Sequence, residues 1–232
     1  MPAKIIIVLT SHDRLGDTGE PTGFWLEEFA APYYAFTDAG MEVTLSSPHG
    51  GQPPVDPRSE ADEAMTEITR RFMADAVAQR RLRASVSLSE IDPDDYDAVF
   101  YPGGHGPLWD LVANEHSIAL LRSFSAKGKP IGAVCHGPVV LLNAVRGDGR
   151  PLVEGRRLTG FTDAEEAAIG LTEAVPLALE TALVERGARF EKRPPFTPFA
   201  LADGLIVTGQ NPMSSEMAAE AMIRLLDRRL AA

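Results

Sequence analysis

Cys135 is the sole cysteine of the chain, and it stands in the run Ile131-Gly132-Ala133-Val134-Cys135-His136-Gly137-Pro138. A short apolar stretch runs into the cysteine there, and Gly-Pro then opens a helix. This order predicts a sharp strand-to-helix turn that lifts the side chain above the carboxyl ends of a sheet. Thiolate is the reactive form of cysteine, and a helix N-terminus favours it. Sites of this type have thiol pKa values of roughly 3.5–7.5, against about 8.5 for a free thiol. Backbone N–H groups at such a turn can also hold a developing oxyanion. The plain alternative is an inert cysteine closing a core strand. His136 and Gly137, which are not core residue types, argue against it.

A second feature is Tyr101-Pro102-Gly103-Gly104-His105-Gly106. Glycines that follow a strand let the backbone approach a ligand closely. The run is not a dinucleotide fingerprint, because G-x-G-x-x-G is absent, and no Gly-Lys-Ser/Thr follows to make a phosphate loop. Glu28 lies beside Glu27 on the first predicted helix, where an acid near the strand tips can hydrogen-bond a thiol and move a proton. Its ordinary alternative is a solvated helix face. Glu166 lies in Gly160-Phe161-Thr162-Asp163-Ala164-Glu165-Glu166, where acids usually complement a helix dipole. His12, His49 and His116 are scattered and read as surface or loop residues, with His12 near enough to strand one to line a cleft. Trp25 and Trp109 read as packing or pocket-wall residues.

The elements that must position these groups alternate. Strands are expected at Ile5–Thr10, Glu42–Ser47, Tyr96–Tyr101, Ile131–Val134, Arg157–Thr159 and Leu205–Thr208. Helices are expected at Gly23–Gly40, Ser117–Lys127, Gly137–Ala144, Asp163–Ile169, Val175–Arg186 and Met213–Leu230. Apolar strands alternating with helices imply a mostly parallel sheet covered on both faces, a doubly wound α/β fold with right-handed crossovers. Pro48 to Asp94 breaks the rhythm with Gly50-Gly51, Pro53-Pro54 and a charged helical stretch from Ser59 to about Arg83. It reads as a cap-like insertion at about 48–94 on a single domain spanning 1–232. Pro194-Pro195 and Pro198 mark a rigid loop.

The 232 residues include 44% hydrophobic ones, enough for a sizeable core. With 33 acidic and 22 basic residues the net charge is -11, which argues against nucleic-acid and anionic-membrane partners. No apolar run is long enough to span a membrane, and the N-terminal segment predicts no secretory signal. A lone cysteine excludes an internal disulfide and a multi-cysteine metal site, so a reducing cytoplasm is the expected location.

With Cys135-His136-Gly137 and Gly103-Gly104-His105-Gly106 in hand, the chain resembles the ThiJ/PfpI superfamily, within the class I glutamine amidotransferase-like, flavodoxin-like fold. The likeness runs from Ile5 to the last helix. Thr22-Gly23 ahead of Glu28, Gly149-Arg150-Pro151-Leu152, Leu158-Thr159-Gly160-Phe161-Thr162-Asp163 and Val207-Thr208-Gly209-Gln210-Asn211-Pro212 are similar to one branch, the glutathione-independent glyoxalases, also described as heat-shock-type chaperones. The resemblance implies Cys135 as nucleophile, His136 beside it and Glu166 orienting that histidine, with motif register favouring Glu166 over Glu165. It implies Glu28 as the carboxyl that contacts the thiol. Backbone N–H groups of Gly104 and His136 would form an oxyanion pocket, with Gly103 and His105 on the same substrate-binding loop. The implied substrate is a small 2-oxoaldehyde, methylglyoxal, converted to lactate. The redox change is internal to the substrate, so no cofactor is expected. No metal is expected either, because the insertion lacks paired histidines. A homodimer is the family expectation. The competing readings are another cysteine-dependent hydrolase of the superfamily (amidase, peptidase or deglycase), a holdase chaperone and a redox sensor. A true glutamine amidotransferase is the less favoured reading, since it would need a histidine far along the chain and none follows His136.

Overall fold

The computed structural model describes residues 2–230. Along the chain come β1 (Lys4–Val8), α1 (Leu26–Asp38), β2 (Glu42–Ser47), α2 (Glu67–Ala74), α3 (Ala76–Arg83) and β3 (Val86–Ser87). Then follow β4 (Ala98–Tyr101), α4 (Pro107–Asp110), α5 (Glu115–Ala126) and β5 (Ile131–Val134). The last third holds β6 (Arg157–Leu158), α6 (Asp163–Ala168), α7 (Leu179–Glu185), β7 (Arg189–Phe190), β8 (Ala200–Asp203), β9 (Ile206–Gly209) and α8 (Ser215–Leu230).

Seven strands form the main sheet in the order β3-β2-β1-β4-β5-β9-β8. All its pairings are parallel except β8 with β9. β6 and β7 make a small parallel pair of their own. Ile5, Ile6, Ile7 and Val8 are all buried. Successive strand side chains point to opposite faces, so burial of all four means that both faces are covered. α1 and α8 pack together, and α5 packs on β5. The architecture is the α/β doubly wound sheet expected from the alternation of apolar strands and helices.

Local chemistry sets the boundaries. Gly40, at φ 78, ends α1 as expected for a helix C-terminal glycine. The charged stretch expected as one helix is two. Asp75 ends α2, and its carboxylate accepts the N–H groups of Val77 and Ala78 at 2.9 and 3.0 Å to start α3. The segment inserted between β2 and β4 also supplies β3, which extends the sheet edge.

Two expectations need correction. Gly137–Ala144 is not an α-helix but a 3-10 turn over Gly137–Leu141. The chain leaves it early, because Val145 bridges Pro151 only a few residues on. Val175–Arg186 is helical only from Leu179 to Glu185.

Candidate active site

Cys135 has φ 57, one of two non-glycine residues with positive φ among the described residues; the other is Phe196. A side chain held there costs about 1–3 kcal/mol and persists only when its surroundings over-determine it. They do so here. The Cys135 N–H donates to the Gly209 carbonyl at the end of β9, at 2.9 Å, and its own carbonyl accepts the Phe161 N–H at 2.8 Å. The turn thus sets the thiol at the carboxyl edge of β5.

His136 Nδ1 lies 3.3 Å from Cys135 Sγ, and its Nε2 lies 2.7 Å from Glu166 Oε2. Glu166 sits in the first turn of α6, where Thr162 and Glu165 form a capping box. Its other oxygen, Oε1, is 2.9 Å from His105 Nε2. Arg58 from the insertion reaches His105 Nδ1 at 3.1 Å and pairs with buried Asp56 through bonds of 2.9 and 2.5 Å. Arginine only donates, so His105 Nδ1 accepts and its Nε2–H donates to Glu166. A carboxylate only accepts, so His136 Nε2–H also donates. In neutral His136 this leaves the Nδ1 lone pair facing the thiol. Burial pushes the Glu166 carboxyl up, but the bonds from His105 and His136 outweigh it and hold it down at about 2. Burial, then the neighbouring His136, push His105 down to about 4.

Glu28 approaches from α1. It is fully buried, and its Oε2 accepts the Gly103 N–H at 2.7 Å. Its Oε1 has no hydrogen-bond partner, and the Cys135 thiol stands close enough to the carboxyl to act on its protonation. Burial raises the Glu28 carboxyl to about 8, against smaller lowering effects from the Cys135 and Gly103 bonds. The Gly-Gly pair is a steric need. A Cβ on Gly103 would stand 2.7 Å from both Glu28 Oε2 and the His136 nitrogen, and Gly104 has φ 81.

These positions refine the expected roles of the Gly103–His105 loop and correct that of the thiol. Gly103 spends its N–H on Glu28, so it is not an oxyanion donor. His105 spends both ring nitrogens on Glu166 and Arg58, so it acts as a second arm of the Glu166 cluster. Among the described residues, the N–H groups of Gly104 and His136 have no acceptor within the chain. The thiol is not depressed either. Burial, then the Glu28 carboxyl beside it, push Cys135 well above its ordinary value. The turn behind it is too short to offset them with a helix dipole.

A cavity of about 460 Å³ opens over the thiol, lined by Glu28, His105, Cys135 and His136 and by Arg58, Glu63, Ala64 and Thr66 of the insertion. Trp25 is a wall residue. Trp109 instead stacks on His12, with ring centroids 4.9 Å apart, and His49 and His116 are exposed. Ligand atoms of His105, His136 and Glu166 lie within 4.8 Å of one another, a set able to hold a metal ion. Both carboxylate oxygens are already taken by ring N–H groups, and the Arg58 guanidinium faces His105, so the set is closed by hydrogen bonds. Glu165 does not face His136. It is buried and accepts five bonds, from Thr162 N and Oγ1, Phe196 N, Gln210 Nε2 and Asn211 Nδ2. Asp56 and Arg58 were missed by sequence reasoning. An Asp-x-Arg spacing in a charged insertion carries no sign that it meets a histidine 47 residues away.

A parallel sheet with a strained cysteine turn at its carboxyl edge, flanked by a histidine–carboxylate pair, defines an α/β enzyme. The chain belongs to the DJ-1/PfpI family, which matches residues 21–225. It is 32% identical to Glyoxalase 3 of Candida albicans over 95% of this chain and 97% of that one. It is 31% identical to the glutathione-independent glyoxalase HSP31 of Saccharomyces cerevisiae, covering 97% and 98% of the two chains. The crystal structure of glyoxalase III from Candida albicans superposes with a TM-score of 0.89 at 29% identity, over 96% of each chain.

Proposed function

We propose that this chain is a glutathione-independent glyoxalase that converts methylglyoxal to lactate through a covalent adduct on Cys135. The activity rests on the full-length likeness to relatives named for it. One observation supports the mechanism: His136 Nδ1 lies 3.3 Å from the Cys135 sulfur, and beside the same thiol stands the buried Glu28, whose carboxyl is raised to about 8.

Because the thiol holds its proton at neutral pH, deprotonation accompanies attack. Sγ bonds to the aldehyde carbon while His136 Nδ1 takes the thiol proton. Glu28, protonated below about 8, gives its proton to the aldehyde oxygen. The growing charge on that oxygen meets the free N–H groups of Gly104 and His136. Glu28 is then a carboxylate of high basicity and removes the hydrogen from the hemithioacetal carbon. His136 returns its proton to the neighbouring carbonyl oxygen, giving an enediol. Glu28 next protonates the neighbouring carbon, and His136 takes the hydroxyl proton of the first, leaving a lactoyl thioester. Water, deprotonated by Glu28, attacks that thioester, and Cys135 leaves with the proton held by His136. The aldehyde carbon ends oxidised and the ketone carbon reduced, so no external electron carrier enters. Deep burial of the thiol weighs against the redox-sensor reading, which needs an accessible thiolate.

The test is lactate formation from methylglyoxal without glutathione or added metal, with Cys135→Ala alongside. Turnover in the wild type and none in the variant is the expected result. A folded Cys135→Ala enzyme with wild-type turnover sinks the mechanism.

A further inference from the structure

Phe196 shares an unusual property with Cys135. These are the two non-glycine residues with positive φ among those described, and both line the same cavity. The Thr197 N–H donates to the Pro194 carbonyl at 3.1 Å, so Pro194 to Thr197 form a β-turn with Phe196 at its third position, at φ 59. Glycine is the residue for a positive φ at that position, and a bulky side chain there is an outlier. The turn is locked by Glu165, whose Oε1 accepts the Phe196 N–H at 2.8 Å. Glu165 is itself fully buried and saturated with donors. Strain of this kind, held by a saturated network, accumulates at ligand clamps.

What the strain positions is an apolar wall. Aromatic rings step outward from the reacting centre. His136 and Phe161 centroids are 4.6 Å apart, and Phe161 and Phe196 are 6.4 Å apart. Ile169, Phe196 and Met213 line the cavity yet remain 41%, 43% and 44% exposed. Exposed apolar side chains gathered on a cavity wall need a function. Methylglyoxal carries a single methyl group, too little apolar surface to cover three such side chains. A cavity of about 460 Å³ is of the size that holds drug-sized ligands.

We propose that the site takes 2-oxoaldehydes with a bulky apolar or aromatic substituent, and that Phe196 is the residue that selects them. This rests on the glyoxalase reading above. With phenylglyoxal, the aldehyde carbon bonds to Cys135 and the phenyl group lies along Phe161 and Phe196. The hydrogen of the aldehyde carbon passes to the ketone carbon, and water supplies the oxygen that releases mandelate. One carbon is oxidised, its neighbour is reduced, and the net change is addition of water.

The experiment compares kcat/KM for phenylglyoxal and methylglyoxal in the wild type, Phe196→Ala and Phe196→Gly. The wild type is expected to favour phenylglyoxal. In both variants the phenylglyoxal-to-methylglyoxal ratio should fall by about tenfold, the order set by loss of one aromatic partner. Phe196→Gly relieves the turn and should melt no lower than the wild type, which separates lost selection from lost fold. A wild type that favours methylglyoxal, or a ratio unchanged in both variants, overturns this inference and leaves the glyoxalase reading standing. No turnover of either aldehyde by folded wild type overturns that reading and the selectivity together.

Discussion

Glu28 and Glu166 both reach the Cys135–His136 pair, and both are buried. Their surroundings drive them apart. Glu166 receives two imidazole N–H groups, one per oxygen, and is held at about 2. Glu28 receives one backbone N–H, has a second oxygen without a hydrogen-bond partner, and is raised to about 8. Burial and donors act together: Glu28 is the more completely enclosed and has the fewer donors, and Glu166 has a donor for each oxygen. The outcome is a division of labour. Glu166 keeps a fixed charge that orients His136, and Glu28 keeps a proton that it can give and take back near neutral pH.

Removing Glu28 should have the larger effect. Glu28→Gln is expected to lower kcat by about two to four orders of magnitude, the range for lost general acid–base catalysis. Its neutral amide should also bring down the pH midpoint of Cys135 alkylation, because the Glu28 carboxyl helps to raise the thiol. A variant that turns over at full rate would reduce Glu28 to a packing residue. Glu166→Gln should cost less, about ten- to a hundredfold in kcat, the worth of one charge-assisted bond. An effect equal to that of Glu28→Gln would erase the distinction between proton carrier and orienting group.

Stability against pH sharpens the contrast, because the two shifts have opposite sign. Glu28 has a folded value of about 8 against an ordinary 4.5, so its contribution is present below 4.5 and is lost as pH rises through 8. The Tm of the wild type relative to Glu28→Gln should therefore fall between about pH 5 and pH 9. Glu166 has a folded value of about 2 against 4.5, so its contribution is present above 4.5 and is lost as pH falls through 2. The Tm advantage of the wild type over Glu166→Gln should shrink between about pH 5 and pH 2. Parallel Tm curves for either pair would contradict the assigned shift.

The contrast also marks how far the sequence reaches. Ile131–Val134 is a strand with the bounds that its apolar run suggests, because fully buried parallel strands have a composition of their own; Glu42–Ser47 also keeps its expected bounds, although only its last three residues are buried. β8 was not legible. Ala200-Leu201-Ala202-Asp203 is poor in β-branched residues, and it pairs as an antiparallel edge. Within the site, the turn at Cys135 was legible from its neighbours in the chain. The burial of Glu28 was not: beside Glu27 it has the composition of a solvated helix face, and only the Gly103 loop, 75 residues on, encloses it. Its raised pKa and that of the thiol follow from the enclosure, which is why the expectation of a depressed thiol failed.

The smallest predicted effect tests how far the Glu166 cluster extends. Arg58 donates to His105 Nδ1, and that bond keeps the His105 Nε2–H directed at Glu166. Without it, His105 can turn a lone pair on Glu166 and withdraw one of the two donors that hold its charge. Arg58→Met keeps the apolar stem and removes the donor. The expected loss is about fivefold in kcat, one ordinary hydrogen bond. Asp56 is fully buried and bound by Arg58, so the variant should also melt lower. Rates are therefore to be read well below its Tm, and Asp56→Asn supplies the control, since it loses the ion pair while keeping the guanidinium. If Asp56→Asn keeps most of its kcat and Arg58→Met does not, the donor to His105 is the working part. If folded Arg58→Met turns over at the wild-type rate, the cluster that orients His136 ends at Glu166, and the insertion serves only to wall the cavity.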